Sequence, residues 1–280
     1  MLGDSSKKYH SPQVICVGEA LLDRLGPPGG NPLFDQPYED CLGGAPANVA
    51  CGLAQLGTSA AFFGRLGADS TGESFQNLFN SRGINVDGLQ IDKSRPTRIV
   101  LVQRDFSGER SFQGFLGDKG EGFADQALSI DHFKDVCNVM LGQASALLIG
   151  TIPLASRTSE QALLWFVENA LQSKIPIVVD INWRSTFWDD NNFPDSGPSQ
   201  KELAKIKPLL EKASFLKLAK EEAKWFFSCL DPKQISLSLP RQPDVVITDG
   251  SNPLKWLIGN FSGETDAVSP KVVVDTTGAG

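Results

Sequence analysis

Several short apolar runs in this chain end on polar residues, and those residues define the chemistry open to it. Glu19 and Asp23 follow the run VICV at 14–17. Asp180, Asn182 and Arg184 follow IVV at 177–179, and Lys217 and Glu222 follow SFL at 214–216. Thr248, Asp249 and Gly250 come after VVI at 245–247; Asp275, Thr276, Thr277, Gly278, Ala279 and Gly280 come after VVV at 272–274. In open α/β sheets ligands bind beyond the carboxyl ends of the strands. Carboxylates, amides, hydroxyls and glycines brought to one such edge describe a site for a polar small molecule. Any one of these positions alone reads more readily as a turn or a cap. It is their convergence that points to a site.

Two glycine motifs sharpen the picture. Gly43-Gly44-Ala45-Pro46-Ala47-Asn48-Val49-Ala50 opens an Ala/Leu-rich helical pattern. Paired glycines admit close backbone approach, and a helix start offers unbonded N–H donors. Asn48 is a poor helix former, with two donors and an acceptor to spend. Gly278, Ala279 and Gly280 follow a buried apolar run, and small residues there can turn successive N–H groups into an anion nest. The chain has no Walker A sequence and no Gly-Lys dipeptide, which excludes a P-loop enzyme.

The elements that must hold these residues read as alternating strands and helices. Besides the runs above, AAFF at 60–63 and ALLI at 146–149 lack alternation, as strands buried on both faces do. Between them, Val49, Leu53 and Leu56, then Phe75, Leu78 and Phe79, then Leu163, Val167, Ala170 and Leu171 follow the helical period. Capping boxes are expected at Ser70–Glu73 and Ser199–Glu202. The fold expected is α/β, a doubly wound, Rossmann-like, mostly parallel sheet flanked by helices. Residues 1–12 are read as a flexible N-terminus and 13–280 as one domain. Two stretches break its rhythm: the Pro/Gly-rich 26–42, and 95–116, which alternates like an exposed hairpin turning at Ser107-Gly108. Both are assigned to a small inserted β lid.

Composition removes other classes. A net charge of −7 without any basic run argues against nucleic acid. With only two histidines, His10 and His132, a His-based triad or a His-rich metal site is excluded. Five scattered cysteines, never spaced as CxxC, read as reduced thiols of a cytoplasmic protein. The first ten residues have no apolar stretch after the lysines and read as no signal peptide. The apolar runs are far shorter than the roughly 20 residues of a membrane span.

Taken together these residues resemble the ribokinase-type (PfkB) carbohydrate kinases. Gly43 to Ala50, continuing to Gly64-Arg65-Leu66-Gly67, is similar to the first motif of that family, and Asp275 to Gly280 to the start of its second. Asp180-Ile181-Asn182-Trp183-Arg184 with Trp188, Gly108-Glu109-Arg110-Ser111-Phe112, and Gly18 to Asp23 resemble segments of its fructokinases. The resemblance implies an ATP-dependent kinase of D-fructose in which Asp23, Gly43, Gly44 and Asn48 hold sugar hydroxyls. It places Asn182 and Arg184 between sugar and triphosphate, and Lys217, Thr248 and Gly250 at the nucleotide. Gly278, Ala279 and Gly280 would face the transferring phosphoryl. ATP and Mg²⁺ are the cofactors implied, with Glu222 acting indirectly on the metal, and K⁺ is a further candidate. A homodimer through the lid is also implied, with no nucleic-acid or membrane partner.

Three positions depart from that pattern. The family's catalytic Asp would directly follow Gly280, where the given sequence stops, so these 280 residues alone are expected to be inactive. Ala219 stands where the family has an Asn ahead of Glu222. Residues 113–118, Gln-Gly-Phe-Leu-Gly-Asp, lack the aromatic–Arg pair that often approaches the sugar. Another sugar, a sugar acid or a nucleoside remains open as the acceptor, and so does a catalytically silent binding or regulatory protein.

Overall fold

A computed structural model describes residues 13–106, 110–118, 120–189 and 191–268. The N-terminal 1–12, the turn at 107–109 and the segment from 269 onward, with its expected strand and Gly278, Ala279 and Gly280, lie outside them. In chain order the strands are β1 (Val14–Val17), β2 (Leu21–Leu25), β3 (Glu39–Gly43), β4 (Ala60–Gly67), β5 (Leu89–Asp92), β6 (Ile99–Arg104), β7 (Arg110–Leu116), β8 (Ala146–Gly150), β9 (Ile177–Asp180), β10 (Phe215–Ala219), β11 (Asp244–Asp249), β12 (Asn252–Ile258) and β13 (Phe261–Thr265). Nine of them form one sheet in the order β13-β12-β11-β10-β9-β8-β1-β4-β5. It is parallel from β11 to β5, with β12 and β13 added antiparallel at one edge.

The missing alternation in the apolar runs has a direct cause. Ile15 and Val17 of β1 join Phe63, Leu147 and Ile149 in the core on one face of the sheet. Cys16 points the other way, among Phe62, Phe75 and Leu148. Both faces are covered by helices α1 (Ala45–Gln55), α2 (Ser70–Ser81), α3 (Lys134–Leu141), α4 (Arg157–Gln172), α5 (Ser185–Trp188), α6 (Gln200–Leu210), α7 (Lys220–Phe227) and α8 (Pro232–Leu237). Phe62 and Phe75 stack on Phe79, while Phe63 meets Phe133 and Phe166.

One capping box forms as expected and the other does not. Ser199 and Glu202 bond reciprocally at the start of α6. At α2 the cap is Asp69, one residue before the expected Ser70, and it accepts from Gly72 N–H at 2.8 Å. Tertiary contacts select it, because the same carboxylate accepts from the backbone N–H and the hydroxyl of Thr97 at 2.7 and 2.9 Å. A carboxylate also suits the positive end of the helix dipole.

The four remaining strands form a smaller sheet ordered β3-β2-β6-β7. It draws on both rhythm-breaking stretches and on Leu21–Leu25, which the sequence places with the first strand. The chain leaves the main sheet at Gly18, whose φ of 151° is glycine-like; a Cβ there would lie 2.6 Å from Pro46 Cγ. Leu21, Leu25, Val100 and Val102 form the apolar side of this sheet, packed by Phe112, Phe115 and Phe187.

Arg98 joins the two sheets. Its guanidinium makes paired bonds of 2.9 and 3.0 Å to Asp125, and both side chains are 5% exposed or less. The rings of Phe115 from β7, Phe123 and Phe187 from α5 enclose it at 4.8, 4.4 and 4.6 Å. The backbone carbonyl of Arg98 also accepts from Leu22 N–H on β2. Removing one member of a buried pair strands the other charge, at about 3–5 kcal/mol. Arg98→Met is therefore expected to lower unfolding free energy by that order, and Arg98→Met/Asp125→Asn to recover part of it. Urea unfolding of both variants is the measurement, and a single-mutant loss below about 1 kcal/mol would contradict a latch of this kind.

Candidate active site

A cavity of about 500 Å³ opens between the two sheets, in the size range of small-molecule sites. The small sheet contributes Asp23, Val100, Val102 and Phe112 to its wall. The body contributes Glu19 after β1, Asn48 from the first turn of α1, Asp180 and Asn182 at the end of β9, Arg184, and Lys217 of β10. The strand order reverses at the β1–β8 pair, with β4 and β5 following outward from β1 and β9 to β11 outward from β8, the kind of switch point where α/β sheets bind ligands.

Local backbone brings these groups together. Gly44 caps α1 with φ 99°, and a Cβ there would lie 2.6 Å from the carbonyl oxygen of Glu19. Only glycine lets the two segments approach so closely. Gly43 ends β3 beside Asp23, where a Cβ would meet Oδ2 at 3.0 Å. Burial raises the Asp23 carboxyl above its ordinary pKa, and the charges of Arg110 and Arg184 act against that rise. Asn182 adopts φ 44°, a left-handed conformation that turns the chain sharply after β9.

Two further carboxylates sit between β9 and β10. Lys217 pairs in register with Asp180, and their side chains form an ion pair at 3.3 Å. Asp180 Oδ1 is buried and has no aligned hydrogen-bond partner. Glu222, 4% exposed, accepts from Trp183 N–H and Ala219 N–H at 2.7 Å each. It thereby ties the loop after β9 to the start of α7. Burial raises its pKa, and those two backbone bonds and Lys217 oppose the rise. Lys217 thus lies on a strand and lines the cavity, while Glu222 is buried.

Six residues given a role by the family resemblance, Asp23, Gly44, Asn48, Asn182, Arg184 and Lys217, line this one cavity. Gly43 supports it through Asp23. Thr248 and Gly250 do not line it; Thr248 pairs with Ala219 on the neighbouring strand, and Gly250, φ 55°, turns β11 into β12. Gly278, Ala279 and Gly280 lie outside the described residues. Glu19, Arg110 and Phe187 line the cavity without having been assigned a role from the sequence. Glu19 had a signal, its place directly after an apolar run. Phe187 had none, because its contact depends on how α5 meets the small sheet.

Among the described residues no three His, Cys, Asp or Glu side chains cluster as a metal site, and no disulfide is formed. No helix there is long and apolar enough to cross a membrane.

Comparison with known proteins bears on the family and the fold. The probable fructokinase-6, chloroplastic, of Arabidopsis thaliana is 28% identical over 285 residues, covering 100% of this chain and 70% of that protein. A double mutant of the Vibrio cholerae fructokinase, in fructose-, ADP- and potassium-bound form, superposes with a TM-score of 0.74 at 25% identity, covering 96% of this chain and 79% of the other. The ATP-bound fructokinase of Xylella fastidiosa shares the fold with a TM-score of 0.70 at 24% identity, over 90% and 77% of the two chains. Residues 11–280 match the pfkB family of carbohydrate kinases, and the chain belongs to that family.

Proposed function

We propose that the protein transfers the γ-phosphoryl group of ATP to a hydroxyl of D-fructose, giving fructose 6-phosphate. The observation that supports this most is that Asp23, Asn48, Arg184 and Lys217 line one cavity. The cavity brings the hydroxyl-binding Asp23 and Asn48 together with the cationic Arg110, Arg184 and Lys217, as a sugar beside a triphosphate would require. The solved relatives bound to fructose, ADP and potassium or to ATP favour the same reading.

Phosphoryl transfer relies on positioning and on charge stabilisation. In this reading Asp23 and Asn48, with the backbone at Gly43 and Gly44, orient the sugar. Asn182, Arg184 and Lys217 meet the phosphates, and Thr248 and Gly250 extend the nucleotide side along the neighbouring strand end. The backbone N–H groups of Gly278, Ala279 and Gly280 are assigned to the transferring phosphoryl. Mg²⁺, when bound, would neutralise charge on the phosphate oxygens. Asp180 fits it through its unaligned Oδ1. Glu222, whose two oxygens already bond backbone N–H groups, fits it only through water. K⁺ is included as a second cation on the strength of the potassium-bound relative. The exposed Phe34 and Phe106 beside the small sheet favour a homodimer through that sheet, and the absence of disulfides among the described residues suits a reducing compartment such as the cytoplasm.

A coupled ADP-release assay of the full-length protein over fructose, other hexoses, ribose, a sugar acid and adenosine tests the substrate. The expected outcome is fructose turned over with ATP and Mg²⁺ and the rest poorly. Preference for ribose, adenosine or the sugar acid would overturn the fructose assignment and leave the family standing. In the same assay Asp23→Ala is expected to raise KM for the sugar about 10- to 150-fold, the worth of a hydrogen bond to a charged group, with KM for ATP little changed. An equal rise for both substrates would show that Asp23 acts on the fold and not on the sugar.

A further inference from the structure

Glu19 lines the cavity, yet it is 2% exposed. Its Oε1 accepts from Ala45 N–H at 3.1 Å, at the start of a helix whose capping residue, Gly44, has no side chain to offer. Its Oε2 is buried and has no hydrogen-bond partner. A capping role explains one oxygen, and a glutamine would serve it equally well. Nothing in that role explains a second carboxylate oxygen, since leaving such an atom unsatisfied is costly. Gly150 at the end of β8 lies beside Oε2, where a Cβ would stand in ordinary contact at 3.8 Å.

We propose that Glu19 is a further ligand-contacting residue of this site, with Oε2 accepting the hydrogen bond of a sugar hydroxyl. Oε1 meanwhile holds the start of α1, and with it Asn48, in register with the same sugar. This inference rests on the sugar-kinase reading. It also carries a consequence for protons. Burial pushes the Glu19 carboxyl up to about 7; its backbone N–H bonds, including that of Ala45, oppose the rise, and the charges of Asp125 and Asp180 add to it. The other charged groups on the cavity wall are Asp23, Arg110, Arg184 and Lys217. A hydroxyl donating to Oε2 favours the ionised carboxylate, so sugar binding lowers this pKa and expels the proton that the free protein carries below it. Sugar affinity therefore falls as pH drops through about 7 and levels off above it.

The test is calorimetric titration of the full-length protein with D-fructose, in buffers of different ionisation enthalpy, from about pH 6 to 8. Wild-type protein is expected to release about half a proton per sugar bound near pH 7. Glu19→Gln keeps the Oε1 acceptor for Ala45 but replaces Oε2 with a donor. It is expected to abolish the release and weaken sugar binding about tenfold or more, with the melting temperature and ATP affinity retained. Proton release that survives Glu19→Gln would move the linkage to a neighbour such as Asp23 and overturn the proposal. So would wild-type binding without proton release, a result that needs no variant to fold. If fructose binds tightly and Glu19→Gln is indifferent, this inference alone falls. If the wild-type protein binds no fructose, the fructose reading falls with it.

Discussion

The arrangement depends on one close backbone contact, between the bend at Gly18–Ala20 and the start of α1. The Glu19 carbonyl and the Gly44 Cα approach so closely that a Cβ at 44 would be driven to 2.6 Å from that oxygen. A left-handed glycine resolves the conflict, and the Glu19 side chain then reaches back to Ala45 N–H. From this contact the chain takes its two directions. β1 stays in the large sheet, while β2 turns into the small one and carries Asp23 to the cavity that Asn48 also lines. Bringing the two segments together also removes Glu19 from water, so the contact that builds the site raises the pKa of one of its carboxylates.

Buried charge recurs wherever one element must be held against another. Arg98 and Asp125 neutralise each other where the small sheet meets the body, inside a cage of three phenylalanine rings. Glu222 satisfies two backbone N–H groups that the β9 and β10 ends leave unbonded. Such groups are costly to desolvate singly and rigid once satisfied. The cavity differs from these junctions in being left incomplete. Glu19 Oε2 lacks a partner, and Asp180 Oδ1 has only an unaligned lysine. Unmet acceptors between well-satisfied junctions are what a preorganised site for a hydroxyl-bearing, phosphate-bearing ligand would show.

Much of this was legible in the residues themselves. The runs at 14–17, 60–63, 146–149 and 177–179 are strands because their β-branched and aromatic side chains face apolar layers on both sides, which leaves no alternation to conceal. Asp23, Gly44, Asn48, Asn182, Arg184 and Lys217 were recognisable because strand ends and helix starts are local features, each marked by a polar or glycine residue after an apolar run. The half-exposed β12 and β13 carry no such mark, since edge strands mix Asn252, Lys255, Ser262 and Glu264 with their apolar residues.

What the sequence alone determined, then, was the layered α/β architecture and the polar groups available at its strand ends. Tertiary structure decided which of those groups meet. It placed Thr248 and Gly250 one strand beyond the cavity, made Asp69 and not Ser70 the cap of α2, and enclosed Glu222 in backbone bonds. It also gave Phe187 a role that no local pattern announces. The reason is physical: strand and helix formation follow from neighbours along the chain. The burial of Glu19, its orphaned oxygen and the Arg98 cage arise from groups brought together from distant parts of the sequence.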